Sequence, residues 1–239
     1  MHGFLKSRFP HTPYGSSVRN LNDIKNSLYA KKARGTVYSG AQARIVGLNK
    51  GVAHQAIYNR LSDKVYDYVN DGKIETQASF DDWHKDTCEM FISDCSKAGI
   101  TVHYGMAQKF VNVLMKYVYC FDDSPSVDYS KFEYCHVALD GYTYYSPQES
   151  YQSKKGYNGY DILTPFYHRQ VASSLVSHRT RWSKISTWQE YITIQRDIRD
   201  YFNTNPFTYD NVKHLDASHL ASVHPTYKLT PFEAEFFIW

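Results

Sequence analysis

Cysteine is scarce in this chain and badly spaced for metal chemistry. Cys88, Cys95, Cys120 and Cys135 are the only four among 239 residues, and no Cys-x-x-Cys pair occurs. That argues against a zinc ribbon or an iron–sulfur loop. Cys88 and Cys95 fall two turns apart on one expected helix, as buried thiols rather than a disulfide. Long apolar runs are missing too. Nothing approaches the length of a membrane span, and Met-His-Gly-Phe-Leu-Lys-Ser-Arg at the start lacks the apolar core of a signal peptide. A cytoplasmic protein with no membrane association is the expectation. Strong charge is also lacking: net +3 and a pI near 8.5 permit a polyanionic partner without demanding one. His214, His219 and His224 stand five residues apart without a zincin pattern, so no metal site and no cofactor are expected. Internal repeats and low-complexity tracts are absent.

What the chain has in excess is tyrosine, 22 residues against 13 Phe and 4 Trp. Tyrosine couples apolar area to a polar tip, which suits stacking surfaces as well as cores. Hydrophobic content of 42% and a mean hydropathy of -0.55 fit a globular protein on the polar side. The length suits one domain.

Helical spacing recurs along the chain and no stretch reads as a strand, so the expected fold class is all-α. Leu21, Ile24, Leu28 and Tyr29 predict an amphipathic helix over 18–32, followed by a loop punctuated by Gly35, Gly40, Gly47 and Gly51. Ile57, Leu61, Val65, Tyr68 and Val69 predict a helix over 52–70 with Gly72 as its stop. Ser79-Phe-Asp-Asp82 resembles a capping box opening a helix through Trp83, Met90 and Phe91 to Gly99. A short hairpin over 98–105 then leads into a helix from about Met106 to Cys120, apolar on much of its circumference and therefore central. An acidic loop spans 122–134. A helix carrying Phe166, Val171 and Leu175 follows a basic loop at 146–160. Thr187-Trp-Gln-Glu190 and Thr230-Pro-Phe-Glu233 predict two further helix starts.

The hairpin region carries the chemistry. Lys109 is expected on the first turn of its helix, where the positive end of the dipole disfavours the ammonium form. Asp140 closes the apolar phrase Cys135-His-Val-Ala-Leu-Asp140 in the position of a helix N-cap. An amine beside a carboxylate is what attack at C1′ of a nucleotide requires. Taken singly, Lys109 reads as a solvated lysine and Asp140 as a cap worth about 1 kcal/mol; the combination is what points to chemistry.

The hairpin with Gly105, Lys109 a few residues on, and the apolar-Leu-Asp140-Gly-Tyr phrase resemble the helix-hairpin-helix DNA glycosylases, closest to the archaeal 8-oxoguanine branch. The resemblance covers about residues 80–145. It implies Lys109 as nucleophile, Asp140 as the catalytic carboxylate and Lys116, seven residues after Lys109, in a supporting or structural role. It also implies two helical lobes flanking a cleft, within one domain divided as 1–78, 79–145 and 146–239. Ala138 stands where the branch commonly has proline, and Gly105 lacks the second glycine of the usual Gly-x-Gly. Candidates for the base pocket are Tyr104, Gln108, His136, Tyr142 and Trp182. Candidates for the grip on double-stranded DNA are Gly105, Lys154, Lys155, Arg179 and Arg181, the last two in the cationic and aromatic cluster His178–Trp182. The expected activity is excision of a damaged or modified base by base flipping, with or without strand nicking, in a monomer. The base is an 8-oxoguanine-like lesion or a modified base of viral DNA such as glucosylated hydroxymethylcytosine, removed as antiviral defence. The rival expectations are a non-catalytic helix-hairpin-helix DNA-binding module and a helical protein-interaction domain.

Overall fold

The computed structural model describes residues 52–70, 74–121, 128–139, 182–204, 206 and 228–235. These form five α-helices and two 3-10 turns: α1 (Val52–Asn70), α2 (Gln77–Lys97), α3 (Tyr104–Phe121), a turn at Tyr129–Tyr134, a turn at Trp182–Lys184, α4 (Trp188–Thr204) and α5 (Pro231–Glu235). The described residues are mostly helical and contain no strand. None of their helices is long and apolar enough to cross a membrane. The expected helix over 18–32, the glycine-rich loop, Gly72, the basic loop at 146–160, the helix around Phe166 and the three C-terminal histidines lie outside the described residues.

Helix α3 is central, as its apolar circumference predicts. Every residue from Tyr104 to Met115, and Lys116 after it, is buried. Phe110 packs against Tyr58 of α1 and Phe91 of α2, with ring centroids 6.1 and 5.0 Å apart. The α1 face is the expected one: Ile57, Leu61, Val65, Tyr68 and Val69 are all buried. At about 1.5–3 kcal/mol for each large apolar side chain removed from water, this shared core dominates the stability of the three-helix unit. Arg60 on α1 donates to both carboxylate oxygens of Asp94 on α2 at 2.9 Å; at an exposed site that pair adds under about 1 kcal/mol.

Helix α2 starts three residues before the expected point. Thr76, not Ser79, is the N-cap: its Oγ1 accepts from the Ser79 N–H, while the Ser79 Oγ accepts from the Thr76 N–H, both at 3.1 Å. The box is reciprocal, and Ser79 is its second member. The helix ends in a Schellman motif. Gly99 adopts φ 73°, its N–H donates to Ser96 O, and the Ile100 N–H donates to Cys95 O, each at 2.9 Å. Only three residues, Thr101–His103, then separate Ile100 from α3. The two other expected boxes are present. Glu190 accepts from the Thr187 N–H at 3.2 Å and donates its own N–H to Thr187 Oγ1 at 3.2 Å; Thr230 and Glu233 do the same at 3.1 and 3.2 Å.

Helix α3 begins at Tyr104, two residues earlier than expected, because the His103 carbonyl accepts from Met106 and Ala107 at 3.0 and 3.1 Å. Lys109 is therefore the sixth helical residue, on the second turn. The dipole effect belongs to the first turn, so burial, not the helix end, defines the surroundings of Lys109.

Candidate active site

Residues Cys135–Leu139 belong to no helix or strand, yet all five are buried. Buried backbone polar groups need partners, and here side chains supply them. Gln195 of α4 accepts from the Val137 N–H at 3.2 Å and donates to the Val137 carbonyl at 2.8 Å. Glu235 of α5 accepts from the Ala138 N–H at 2.9 Å. Gln108 of α3 accepts from the Leu139 N–H at 3.1 Å and donates to the Leu139 carbonyl at 2.8 Å. Three helices thus hold the segment that ends one residue before Asp140. Asp140 itself lies outside the described residues, as do Tyr142, Lys154, Lys155, Arg179 and Arg181.

Lys109 is 7% exposed, and its ammonium lies over the Trp182 ring, 5.0 Å from the centroid. Lys116 makes an ion pair with Glu235, the carboxylate that also holds Ala138. Its charge is thereby tied to the fixed segment.

Four assignments need correction, those of Gly105 and Gln108 first. Gly105 does not offer its N–H to a phosphate: it donates to Ile185 O at 2.9 Å. A Cβ at Gly105 would stand 1.8 Å from the Trp182 carbonyl oxygen, so glycine is needed here for close approach of the Trp182–Lys184 turn. Gly105→Ala is expected to cost about 3 kcal/mol, the upper end for overpacking, read as a fall in urea midpoint at unchanged slope. Gln108 does not read a base. Its two N–H groups go to Gly105 O and Leu139 O, and its oxygen accepts from Leu139 and Asn112, which exhausts its capacity.

His136 and Tyr104 also leave the base pocket, for a buried polar network between α2, α3 and α4. Arg199 grips Asp81 with two bonds at 3.1 and 3.0 Å. His136 Nε2 lies 2.8 Å from Asp81 and its Nδ1 lies 3.0 Å from the Tyr191 hydroxyl. Asn112 donates to that hydroxyl at 2.9 Å, and its oxygen lies 3.0 Å from His84 Nε2. His84 Nδ1 faces the Cys88 sulfur at 3.7 Å. With both rings neutral, His84 Nε2–H donates to Asn112 and its Nδ1 accepts from Cys88; His136 Nε2 stands between the Asp81 carboxylate at 2.8 Å, an acceptor, and Arg199 Nη1 at 3.1 Å, a donor. Tyr104 is core, its ring 5.3 Å from that of Tyr191 and its hydroxyl buried.

Burial holds His136 down to about 4 against a usual 6.5, outweighing the pull of Asp81, and burial beside His136 holds His84 well below 6.5. Burial pushes Asp81 up, but bonding to His136 and Gln77 and the Arg199 charge outweigh it and bring the carboxyl to about 2. A histidine with a depressed folded-state pKa binds its proton more readily when unfolded. Its contribution to stability is complete above pH 6.5 and is lost as pH falls towards 4. Asp81 adds a second loss between about pH 3.8 and 2. The His136 shift alone corresponds to about 3 kcal/mol. Urea titrations from pH 7 to 4 are expected to show that decline, with a shallower slope in His136→Asn; an equal slope would sink the assignment.

Cys88, Cys95 and Cys135 are free and buried, and burial raises all three, Cys95 to about 12. They are inert as nucleophiles. No group of His, Cys, Asp and Glu among the described residues could hold a metal ion.

Comparison with protein-family models, curated proteins and solved structures gives no match.

Of the predicted site residues, Lys109, Lys116, Gly105, Gln108 and Trp182 come together around α3, with His136 and Tyr104 in the adjoining network. Asp81, Asn112, Tyr191, Gln195, Arg199 and Glu235 went unseen in the sequence. A signal existed: Gln108, Asn112 and Lys116 recur at i, i+4 and i+8 within a helix whose only other charged residue is Lys109. Polar groups repeated on a buried face announce an organised interior network.

Proposed function

We propose that this chain is a DNA glycosylase of the helix-hairpin-helix type, with Lys109 as nucleophile and Asp140 as its carboxylate. Gln108 carries the proposal. It sits immediately before Lys109 and grips both backbone groups of Leu139, the residue immediately before Asp140. Gln108 and Leu139, the sequence neighbours of Lys109 and of Asp140, thus share one hydrogen-bonded frame, although they stand 31 positions apart in sequence. The α2–α3 pair, joined through the Gly99 turn, supports the same reading, while Gly105 takes no part in holding phosphate.

In this chemistry the neutral Lys109 amine attacks C1′ of a flipped nucleotide. The C1′–N bond breaks, and its electron pair leaves with the base, which takes up a proton. Asp140 stabilises the positive charge developing on the sugar or accepts the proton lost by Lys109. Opening of the sugar ring leaves an imine between Lys109 and C1′, which borohydride reduces to a stable amine. The substrate is double-stranded DNA carrying a damaged or modified base.

Borohydride trapping tests this, with duplexes carrying 8-oxoguanine and, separately, viral DNA containing glucosylated hydroxymethylcytosine. A covalent adduct is expected with one of them. If no adduct forms but alkali-labile sites appear and vanish in Asp140→Asn, Asp140 activates water instead. Salt-dependent DNA binding with neither signal would overturn the enzyme and leave a binding module.

A further inference from the structure

The contact between Lys109 and Trp182 is supported from below by backbone. Trp182 begins a turn seated on α3: the Gly105 N–H donates to Ile185 O at 2.9 Å, and the Ile185 N–H donates to Trp182 O at 3.3 Å. The Trp182 carbonyl comes so close to Gly105 that no Cβ could stand there. Gly105 and Lys109 are four residues apart, on one face of the helix. The helix that carries the amine thus also carries the platform for the ring beneath it. Trp182 is 5% exposed, and Lys109 is buried with its ammonium 5.0 Å from the ring centroid. That distance lies within the range at which an aromatic face attracts a cation, more strongly when water is excluded.

We infer that Trp182 is a positioning residue for Lys109, its ring face holding the ammonium at the place from which the amine is used. This rests on the glycosylase reading. The ring attracts the charged form alone. When the ammonium gives up its proton this attraction ends, and the ring no longer holds the amine back from an electrophilic carbon. Trp182 acts through Lys109 and itself exchanges no proton or bond.

The test needs a substrate that does not depend on which base is excised. A duplex with a preformed abasic site offers C1′ as an aldehyde; the Lys109 amine condenses with it, releasing water, and borohydride reduces the imine. Trapping in Trp182→Leu is expected to slow about tenfold, with affinity for a duplex bearing a tetrahydrofuran abasic analogue within about twofold of native. Trp182→Phe, whose face attracts a cation less strongly, should fall between the two. A second readout is independent of chemistry. With 13C-labelled lysine, the Lys109 ε-CH2 protons should lie upfield through the indole ring current and move to the position of the other lysines in Trp182→Leu. A folded Trp182→Leu protein that traps at the native rate would overturn the inference alone. If that variant does not fold, native-rate trapping by Trp182→Phe overturns it equally. A native protein that traps neither abasic nor modified DNA, with the upfield shift intact, overturns Lys109 as nucleophile and the inference with it; if alkali-labile sites are absent as well, the glycosylase reading falls too.

Discussion

Lys109→Gln is expected to leave no borohydride adduct at all, and to lower base excision by at least about 10³-fold if the amine is the nucleophile. Glutamine is nearly as long, keeps α3 intact through its own helix propensity, and removes both the charge and the nucleophilic nitrogen. Loss of packing does not account for such a result, because the variant should unfold within about 2 kcal/mol of native. Lys109→Arg sharpens the test. Its guanidinium can still sit over Trp182 yet forms no imine, so binding should persist while trapping disappears. Gel analysis of the reduced complex decides the outcome. Equal adduct yields from native protein and Lys109→Gln would remove Lys109 from the mechanism.

The largest expected effect on stability belongs to the far end of the described chain. Glu235→Ala leaves the buried Lys116 ammonium without its ion-pair partner and the Ala138 N–H without its acceptor. Breaking a buried pair from one side costs about 3–5 kcal/mol, and an orphaned backbone donor adds about 1–3 kcal/mol. Against a typical total of about 5–15 kcal/mol, the variant should be partly unfolded at room temperature. Glu235→Gln keeps the acceptor for Ala138 and loses only the charge, so it should fall between. Removing both charges in Lys116→Met with Glu235→Gln should recover most of the loss, since no uncompensated buried charge then remains. Urea denaturation of the native protein, Lys116→Met, Glu235→Gln and the double variant makes a double-mutant cycle. A double variant no more stable than Glu235→Gln would mean that the pair contributes little. The double variant also separates roles, because retained excision confines Lys116 to structure.

The local features of the sequence were legible, and the distant ones were not. The buried face of α1 and the boxes at Thr187 and Thr230 depend on residues within one or two turns, and their spacing displays them. The cap of α2 is ambiguous in the sequence because Thr76 and Ser79 stand in the same three-residue relation as Ser79 and Asp82. Only the bonds distinguish them. Lys109 was found by its place beyond a hairpin, but its partner Trp182 is 73 residues away, and no local pattern announces that meeting. Gln108 and Glu235 are ordinary helix residues in sequence. Their importance comes from backbone groups brought to them from 31 and 97 residues away.

The way Val137–Leu139 is held also restricts how this chain can change over evolutionary time. A strand paired with another strand can lose one side chain and keep its ladder, because the ladder is backbone. Here each contact is encoded by a single codon on a different helix, for Gln195, Glu235 and Gln108. Inserting or deleting one residue within Val137–Leu139 would therefore bring the wrong backbone group to at least one of the three. Length in this segment is fixed more tightly than composition. Homologous sequences aligned through it should vary in the apolar side chains of 137–139 before they vary in spacing.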